Sequence, residues 1–249
     1  MKRDCLVVDT GKEELLVACD ALGGIGPKPG DSLSVPLEVS AQFTARVALA
    51  EILAAGGEPL ALSVTLSMEP YPWIEEVQKG IARELRAIGR ENLPCVFSTE
   101  KNVPTSATGL GVTVLGRRTQ KRKEQLLEGT LYALGVPSCG REVLENLHAI
   151  ADLVDILRLR EECPEAAIVP VGSRGIFCEA LLFLWGRSAT LSLNPHPPFS
   201  LYKSCGPATV LLFASTKNRD ELASCFQKPL WVVGELRAQG QPMPELAPS

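Results

Sequence analysis

Only two histidines occur in this chain, His148 and His196. His148 follows Leu147 in a helix-like run, and His196 lies in a proline-rich loop, so neither has the setting of a catalytic triad. Gly172-Ser173-Arg174-Gly175 is not the G-x-S-x-G elbow that presents a nucleophilic serine, and serine-hydrolase chemistry is disfavoured. The eight cysteines (5, 19, 95, 139, 163, 178, 205 and 225) contain no C-x-x-C pair. That removes the ligand spacing of a zinc or iron–sulfur site. A chain of this size builds a core without disulfides, so buried, reduced thiols in a cytoplasmic setting are expected. No apolar run approaches the roughly 18 residues of a membrane span, and MKRDCLVVDT lacks the apolar region of a signal peptide. Positive charge is not in excess either. With 25 Lys and Arg against 29 Asp and Glu, the formal charge is −4, which argues against a nucleic-acid partner held by bulk charge. The pattern G-x-x-x-x-G-K-[ST] is absent, which disfavours a P-loop. No internal repeat is visible.

What is present is apolar content of 45%, enough for a real core in 249 residues. The chain is organised around residues 18–59. An apolar strand, Leu15 to Cys19, delivers Asp20 to its end. A loop follows with Gly23, Gly24, Gly26 and Gly30, with Lys28 inside it and Asp31 at its exit. Glycines let backbone N–H groups approach a ligand, and successive N–H groups form an anion concavity. Lys28 would add positive charge for phosphate. Asp20 and Asp31 offer the oxygen donors of a hard cation such as Mg2+.

A helix predicted over Val39 to Ala55 follows. At about 100° per residue, Glu38, Gln42 and Arg46 form one polar stripe. Glu51 falls on another face, beside Ser40, Thr44, Val47 and Ala55. The remainder is so apolar that the helix is expected to be buried on most sides. A carboxylate there must be paired, hydrogen-bonded or metal-bound. An internal salt bridge or a helix edge at a cleft satisfies that demand as well as a metal does.

The rest alternates strands and helices. Leu6 to Thr10, Leu60 to Met68, Cys95 to Ser98 and Leu110 to Leu115 read as strands, with an amphipathic helix from Trp73 to Arg90. Leu60 to Met68, apolar on both parities through its middle, reads as a central strand. Arg117 to Lys123, RRTQKRK, reads as a solvated linker rather than a phosphate patch. Beyond it, Glu142 to Arg160 reads as one helix. Ala166 to Val171, Thr209 to Phe213 and Pro229 to Val233 read as strands. The Gly172-Ser173 turn before a helix over Ile176 to Trp185 is either an anion site or an ordinary connection. Lys203 to Pro207 is a further small-residue turn. Strands and helices mixed without strict alternation favour α+β. The expected division is 1–116, 117–236 and a disordered tail at 237–249.

Several motifs carry a resemblance. They are the acidic strand end before the glycine loop, Glu51 five residues before Gly56 with Pro59 following, and a strand ending Ser98-Thr99-Glu100. This pattern resembles the aminoimidazole-ribonucleotide (AIR) synthase superfamily, which includes thiamine-monophosphate kinase, selenophosphate synthetase and a hydrogenase-maturation dehydratase. Within it, Cys19-Asp20 with Gly23 to Lys28, then Ser98-Thr99-Glu100-Lys101-Asn102 with Pro104-Thr105, and Pro170 to Ile176, are most similar to the AIR-synthase-related proteins that act as alpha-ribazole kinase.

The resemblance implies a two-domain α+β fold whose N-terminal halves pair sheet to sheet in a homodimer. It implies Mg2+-ATP as cofactor and alpha-ribazole as acceptor. Asp20, Glu51 and Glu100 would hold metal. Gly23, Gly24, Gly26, Lys28, Asp31, Arg46, Asn102, Gly172 and Ser173 would contact the nucleotide. Asp20, Lys28 and Glu100 would act in catalysis, with Glu100 or Asp31 available as base. The family usually carries Asp where this chain has Glu51 and Glu100. Another ATP-dependent member (a cyclase or a thiamine-phosphate-type kinase) and a non-catalytic nucleotide-binding regulator are the alternatives.

Overall fold

The computed structural model describes residues 4–119, 128–185 and 188–238. In chain order the first half contains β1 (Cys5–Asp9), β2 (Glu14–Gly23), β3 (Ile25–Gly26), β4 (Leu33–Ser34), α1 (Leu37–Ala54), β5 (Glu58–Leu66), α2 (Ile74–Ala87), β6 (Cys95–Thr99) and β7 (Gly109–Arg118). Five strands form one sheet in the order β1-β2-β7-β5-β6. Its pairs are antiparallel except β5 with β6, whose parallel pairing needs the crossover that α2 supplies. Strand alternation turns Leu16, Ala18, Leu62, Val64, Leu66, Val112 and Val114 into the core. Ser63, Thr65 and Leu115 face the other way and are exposed. β5 is an inner strand, and its apolar residues on both parities have a local cause. A bulge between Pro59 and Ala61 resets the alternation, so the residues beyond it follow a single inside row.

α1 is the centre of the molecule. Thirteen of its residues are buried, because it packs on the first sheet, on α2 and on the second half at once. Pro36 offers no side-chain cap, and the Leu37 amide instead donates to Glu76 of α2 at 3.1 Å. The polar stripe read from the sequence faces α2. Glu38 pairs with Arg83 at 2.7 Å, and both Gln42 and Arg46 donate to Glu84, at 2.8 Å each for the shortest contacts. The two helices touch at Gly80. A Cβ there would stand 2.2 Å from the Glu38 carbonyl and 2.8 Å from the Gln42 nitrogen, so no side chain fits. Gly80→Ala is expected to lower stability by about 1–3 kcal/mol through forced separation of the helices, read as a fall in the urea midpoint. An unchanged midpoint would mean the helices do not pack this closely.

The second half comprises β8 (Gly129–Gly135), α3 (Glu142–Glu145), α4 (Leu153–Glu162), β9 (Ile168–Pro170), α5 (Gly175–Leu184), β10 (Ala189–Leu193), β11 (Val210–Ser215), α6 (Arg219–Ala223) and β12 (Leu230–Ala238). Its sheet, β10-β12-β8-β11-β9, is antiparallel throughout. One face joins the core around α1. That apolar cluster runs unbroken from Leu16, Leu49 and Ile52 to Tyr132, Ile156, Leu159 and Phe213. The other face carries a second cluster, with Leu131, Val169, Ile176, Phe183 and Trp231, beneath α5 and the Phe199–Leu201 loop. The halves thus share their largest core.

Four sequence readings are corrected. The helix expected over Glu142 to Arg160 is two helices, α3 and α4. Asp152 interrupts it, accepting from the amides of Val154 and Asp155 at 2.9 and 3.1 Å while the Asp155 carboxylate accepts from the Asp152 amide. The Ala151 amide is drawn away to the Thr209 carbonyl, and Leu147 and Val154 are exposed. The basic run is not all linker, since Arg117 and Arg118 end β7; residues 120–123 lie outside the described residues. Arg237 and Ala238, expected in the disordered tail, end β12; residues 239–249, the rest of that expected tail, lie outside the described residues. Of the cysteines expected as buried thiols, Cys19 and Cys95 are exposed. The sequence reading also passed over β10, a short edge strand. Among the described residues, no helix is long and apolar enough to cross a membrane.

Candidate functional site

A cavity of about 520 Å3 opens between the halves. β2 supplies one wall. Leu16, Ala18 and Asp20 occupy its inward-facing row, and the row passes from core to cavity at Asp20. α1 supplies the second wall with Val39, Ser40, Phe43, Thr44, Val47 and Glu51. This is the face on which helical periodicity placed Glu51, away from the stripe that α2 covers. The third wall comes from the second half: Gly172 and Ser173 after β9, Gly206 to Ala208 before β11, and Gly140, Val143 and Leu144. The Gly172 carbonyl accepts from the Gly175 and Cys205 amides, both at 3.2 Å, which ties the two small-residue turns together.

Burial pushes the Asp20 carboxyl up from 3.8 to about 6, opposed by a backbone hydrogen bond at Ala21. Asp20 and Glu51 are the two carboxylates on the cavity's inner walls, with Asp4 at its rim. The Ser40 and Thr44 hydroxyls are committed to the carbonyls of Ile25 (2.9 Å) and Ser40 (2.8 Å). Phe43, Val39, Val47, Val143 and Leu144 give the cavity an apolar side that the sequence reading did not pick out. Phe43, the one aromatic residue in an alanine-rich helix, was the available signal.

Of the residues expected to form the site, Asp20, Gly23, Glu51, Gly172 and Ser173 line this cavity; Gly24, Gly26, Lys28, Asp31, Arg46, Glu100 and Asn102 do not. The physical reasons are local. The glycine loop is held against residues 105–108. Gly24 exchanges backbone contacts with Thr108 and Ser32 (2.9 and 2.8 Å). Gly26 packs on Thr108 so closely that a Cβ would lie 2.3 Å from its hydroxyl. The Lys28 ammonium is engaged by Glu69 and by the Thr105 carbonyl.

Asp31 accepts from the Lys28 amide (2.8 Å) and from the Thr108 amide and hydroxyl (2.7 Å each). Burial acts to raise the Asp31 carboxyl, but the Thr108 and Lys28 contacts outweigh it and hold it below the usual range. Arg46 is buried against Glu84, with its guanidinium 4.6 Å from the centre of the Phe43 ring. Glu100 lines a separate hollow with Thr65, Ser67 and Thr105, and accepts from the amides of Asn102 (2.6 Å) and Val103 (3.2 Å), which lower its pKa. The expected convergence of Asp20, Glu51 and Glu100 is therefore not found within the chain. Among the described residues, no group of three His, Cys, Asp or Glu side chains is placed to hold a metal.

Residues 2–117 match the family profile described as AIR synthase related protein, N-terminal domain. No curated protein matches the sequence. Solved structures share the fold along nearly all of the chain. Phosphoribosylformylglycinamidine synthase II (PurL) of Thermotoga maritima, in complex with ATP, superposes with a TM-score of 0.59 at 14% identity, covering 94% of this chain and 37% of its own. AaThiL, in complex with AMPPCP and TMP, gives 0.60 at 14% identity, covering 96% and 85%. A Thermus thermophilus protein gives 0.58 at 17% identity, covering 98% and 91%. This chain spans little more than a third of the Thermotoga protein's length. The fold is AIR-synthase-like, of mixed α and β structure. Residues 2–117 are similar to that family's N-terminal domain.

Proposed function

We propose that this chain is an ATP- and Mg2+-dependent phosphotransferase that phosphorylates alpha-ribazole at its 5′-hydroxyl, in cytoplasmic salvage of the cobalamin lower ligand. The observation that carries the reading is the cavity itself: two carboxylates on one side, two glycine turns of the second half opposite, and an apolar wall between them. The fold's solved relatives support the nucleotide, since one was captured with ATP and another with AMPPCP beside TMP.

Phosphoryl transfer asks for positioning and charge neutralisation more than for covalent chemistry. Asp20 and Glu51 fit Mg2+ in donor type, because that ion is commonly held by one or two carboxylates together with substrate phosphates. When bound, the metal would neutralise charge on the phosphates. Burial disfavours the charged form of Asp20, and a bound cation would favour it. The Gly172-Ser173 and Gly206 turns present backbone to the nucleotide. The wall of Phe43, Val143 and Leu144 suits the apolar aromatic base of the acceptor and excludes water around it.

Incubating the protein with Mg2+-ATP and each acceptor, and following ADP release together with the phosphorylated product, tests the assignment. ADP in step with alpha-ribazole 5′-phosphate is expected. Release with thiamine monophosphate alone would reassign the substrate, and nucleotide binding without turnover on any acceptor would favour a regulator.

The outer face of the first sheet bears on assembly. Leu6 and Val8 pair with Val17 and Leu15, and Leu115 and Val96 lie on the same side. Leu6 is 51% exposed and Val96 64% exposed. A homodimer that pairs these sheets would cover them. Light scattering is expected to give twice the chain mass for the wild type and the chain mass for Leu115→Asp; a monomeric wild type would exclude the pairing.

A further inference from the structure

At the opposite end of β2 from Asp20, a second cavity of about 490 Å3 gathers Arg90, Arg117, Arg118 and Arg160 around Glu58. Six residues of strand separate Glu14, which Arg118 meets, from Asp20, a distance on the order of 20 Å, and the two cavities share no lining residue. Four guanidinium groups meet here, drawn from α2's exit, the end of β7 and the last turn of α4, in a chain of net negative charge. Arg118 is fixed: it is 13% exposed, pairs with Glu14 at 2.7 Å and donates to the Ala55 carbonyl. Glu58 is shared by Arg90 (2.7 Å) and Arg117 (3.3 Å). Arg160 makes no ion pair with any described residue. Glu58 and Glu14 leave an excess of two positive charges on these walls. The RRTQKRK run, read from sequence as linker, thus contributes its first two arginines to a concave site.

We propose that this cleft is a second anion site, one that binds a polyphosphate chain carrying at least two negative charges. Guanidinium groups match phosphate oxygens in paired hydrogen bonds, and the fixed Arg118 gives the site one preorganised donor. The chain could belong to inorganic polyphosphate or to a nucleoside di- or triphosphate. Because the site lies apart from the Asp20 cavity, the proposal stands independently of the phosphotransferase reading.

Calorimetric titration of the full chain in chelator, with sodium tripolyphosphate, pyrophosphate, ADP and ATP in turn, tests it. Removing one charged donor should weaken binding by roughly ten- to a hundredfold. Arg160→Glu is therefore expected to weaken tripolyphosphate binding by that amount, and Arg117→Ser/Arg160→Glu by more. Arg160→Gln, a milder change at an exposed position, covers the case in which the charge reversal fails to fold. Affinity should fall steeply with added salt. In the part of the binding that Arg160→Glu removes, tighter ADP than pyrophosphate binding identifies a nucleotide site in the cleft, and equal binding identifies the phosphate chain alone; either supports the proposal. Absence of binding to the wild type, or equal affinity in the wild type and the folded variants, overturns it.

Discussion

Asp20→Asn is expected to lower Mg2+-ATP-dependent turnover by about two to three orders of magnitude. A positioned metal contributes several kcal/mol to the charge developed in the transition state, and each 1.36 kcal/mol is a factor of ten. On the proposed phosphotransferase reading, the same residue would set an acidic limb. Asp20 holds its proton until about pH 6 because burial disfavours the charged form, and only the carboxylate binds the cation. Turnover should therefore fall as pH drops through about 6, and the apparent midpoint should move lower as Mg2+ is raised.

Stability runs in the opposite sense. The folded pKa lies above the ordinary 3.8, so the contribution of this group is fully present below that value and is lost as pH rises through about 6. Without Mg2+, Asp20→Asn should melt higher than the wild type at pH 8 and close to it at pH 4, and Mg2+-ATP should narrow the gap. Unchanged turnover would remove Asp20 from the site. Lost turnover with a lower melting temperature at pH 8 would mean that the side chain supports the fold instead.

The largest loss of stability should follow Arg46→Met. Glu84 is 3% exposed and Arg46 8% exposed, and the replacement strands the carboxylate with only the Gln42 amide. Breaking a buried pair on one side costs about 3–5 kcal/mol, a large share of the roughly 5–15 kcal/mol that stabilises a domain. Arg46→Met/Glu84→Met, which removes both charges, should recover most of it, and the difference in a double-mutant cycle measures the coupling. Urea denaturation of the four proteins reads the effect. Since Arg46 faces α2 rather than the cavity, the double variant should still bind ATP; loss of binding in a stably folded double variant would return Arg46 to the site.

Helical and strand periodicity carried much of this structure in one dimension. The 100° spacing on α1 separated Glu38, Gln42 and Arg46 from Glu51, and the first three meet α2 while Glu51 reaches the cavity. The alternation of Leu16, Ala18 and Asp20 likewise aimed an acid to the inside of β2. These patterns are local, so they survive without knowledge of what packs against them. Local patterning failed at α3 and α4, where an uninterrupted apolar spacing hid the break that Asp152 and the distant Thr209 carbonyl impose.

Charged residues near glycines were the least legible, because composition gives a side chain's chemistry but not its partner. Lys28, Asp31 and Glu100 all had the right chemistry for phosphate or metal. Contacts 41 and 77 residues away engage Lys28 with Glu69 and Asp31 with Thr108, and Glu100 closes its own turn. The order of elements, the buried central helix and the faces it presents follow from the amino-acid order, since they depend on spacing a few residues long. Which acids share a cavity, and which arginines gather in the second one, follow from packing between the halves, because those distances are set by sheet order and helix contact rather than by separation along the chain.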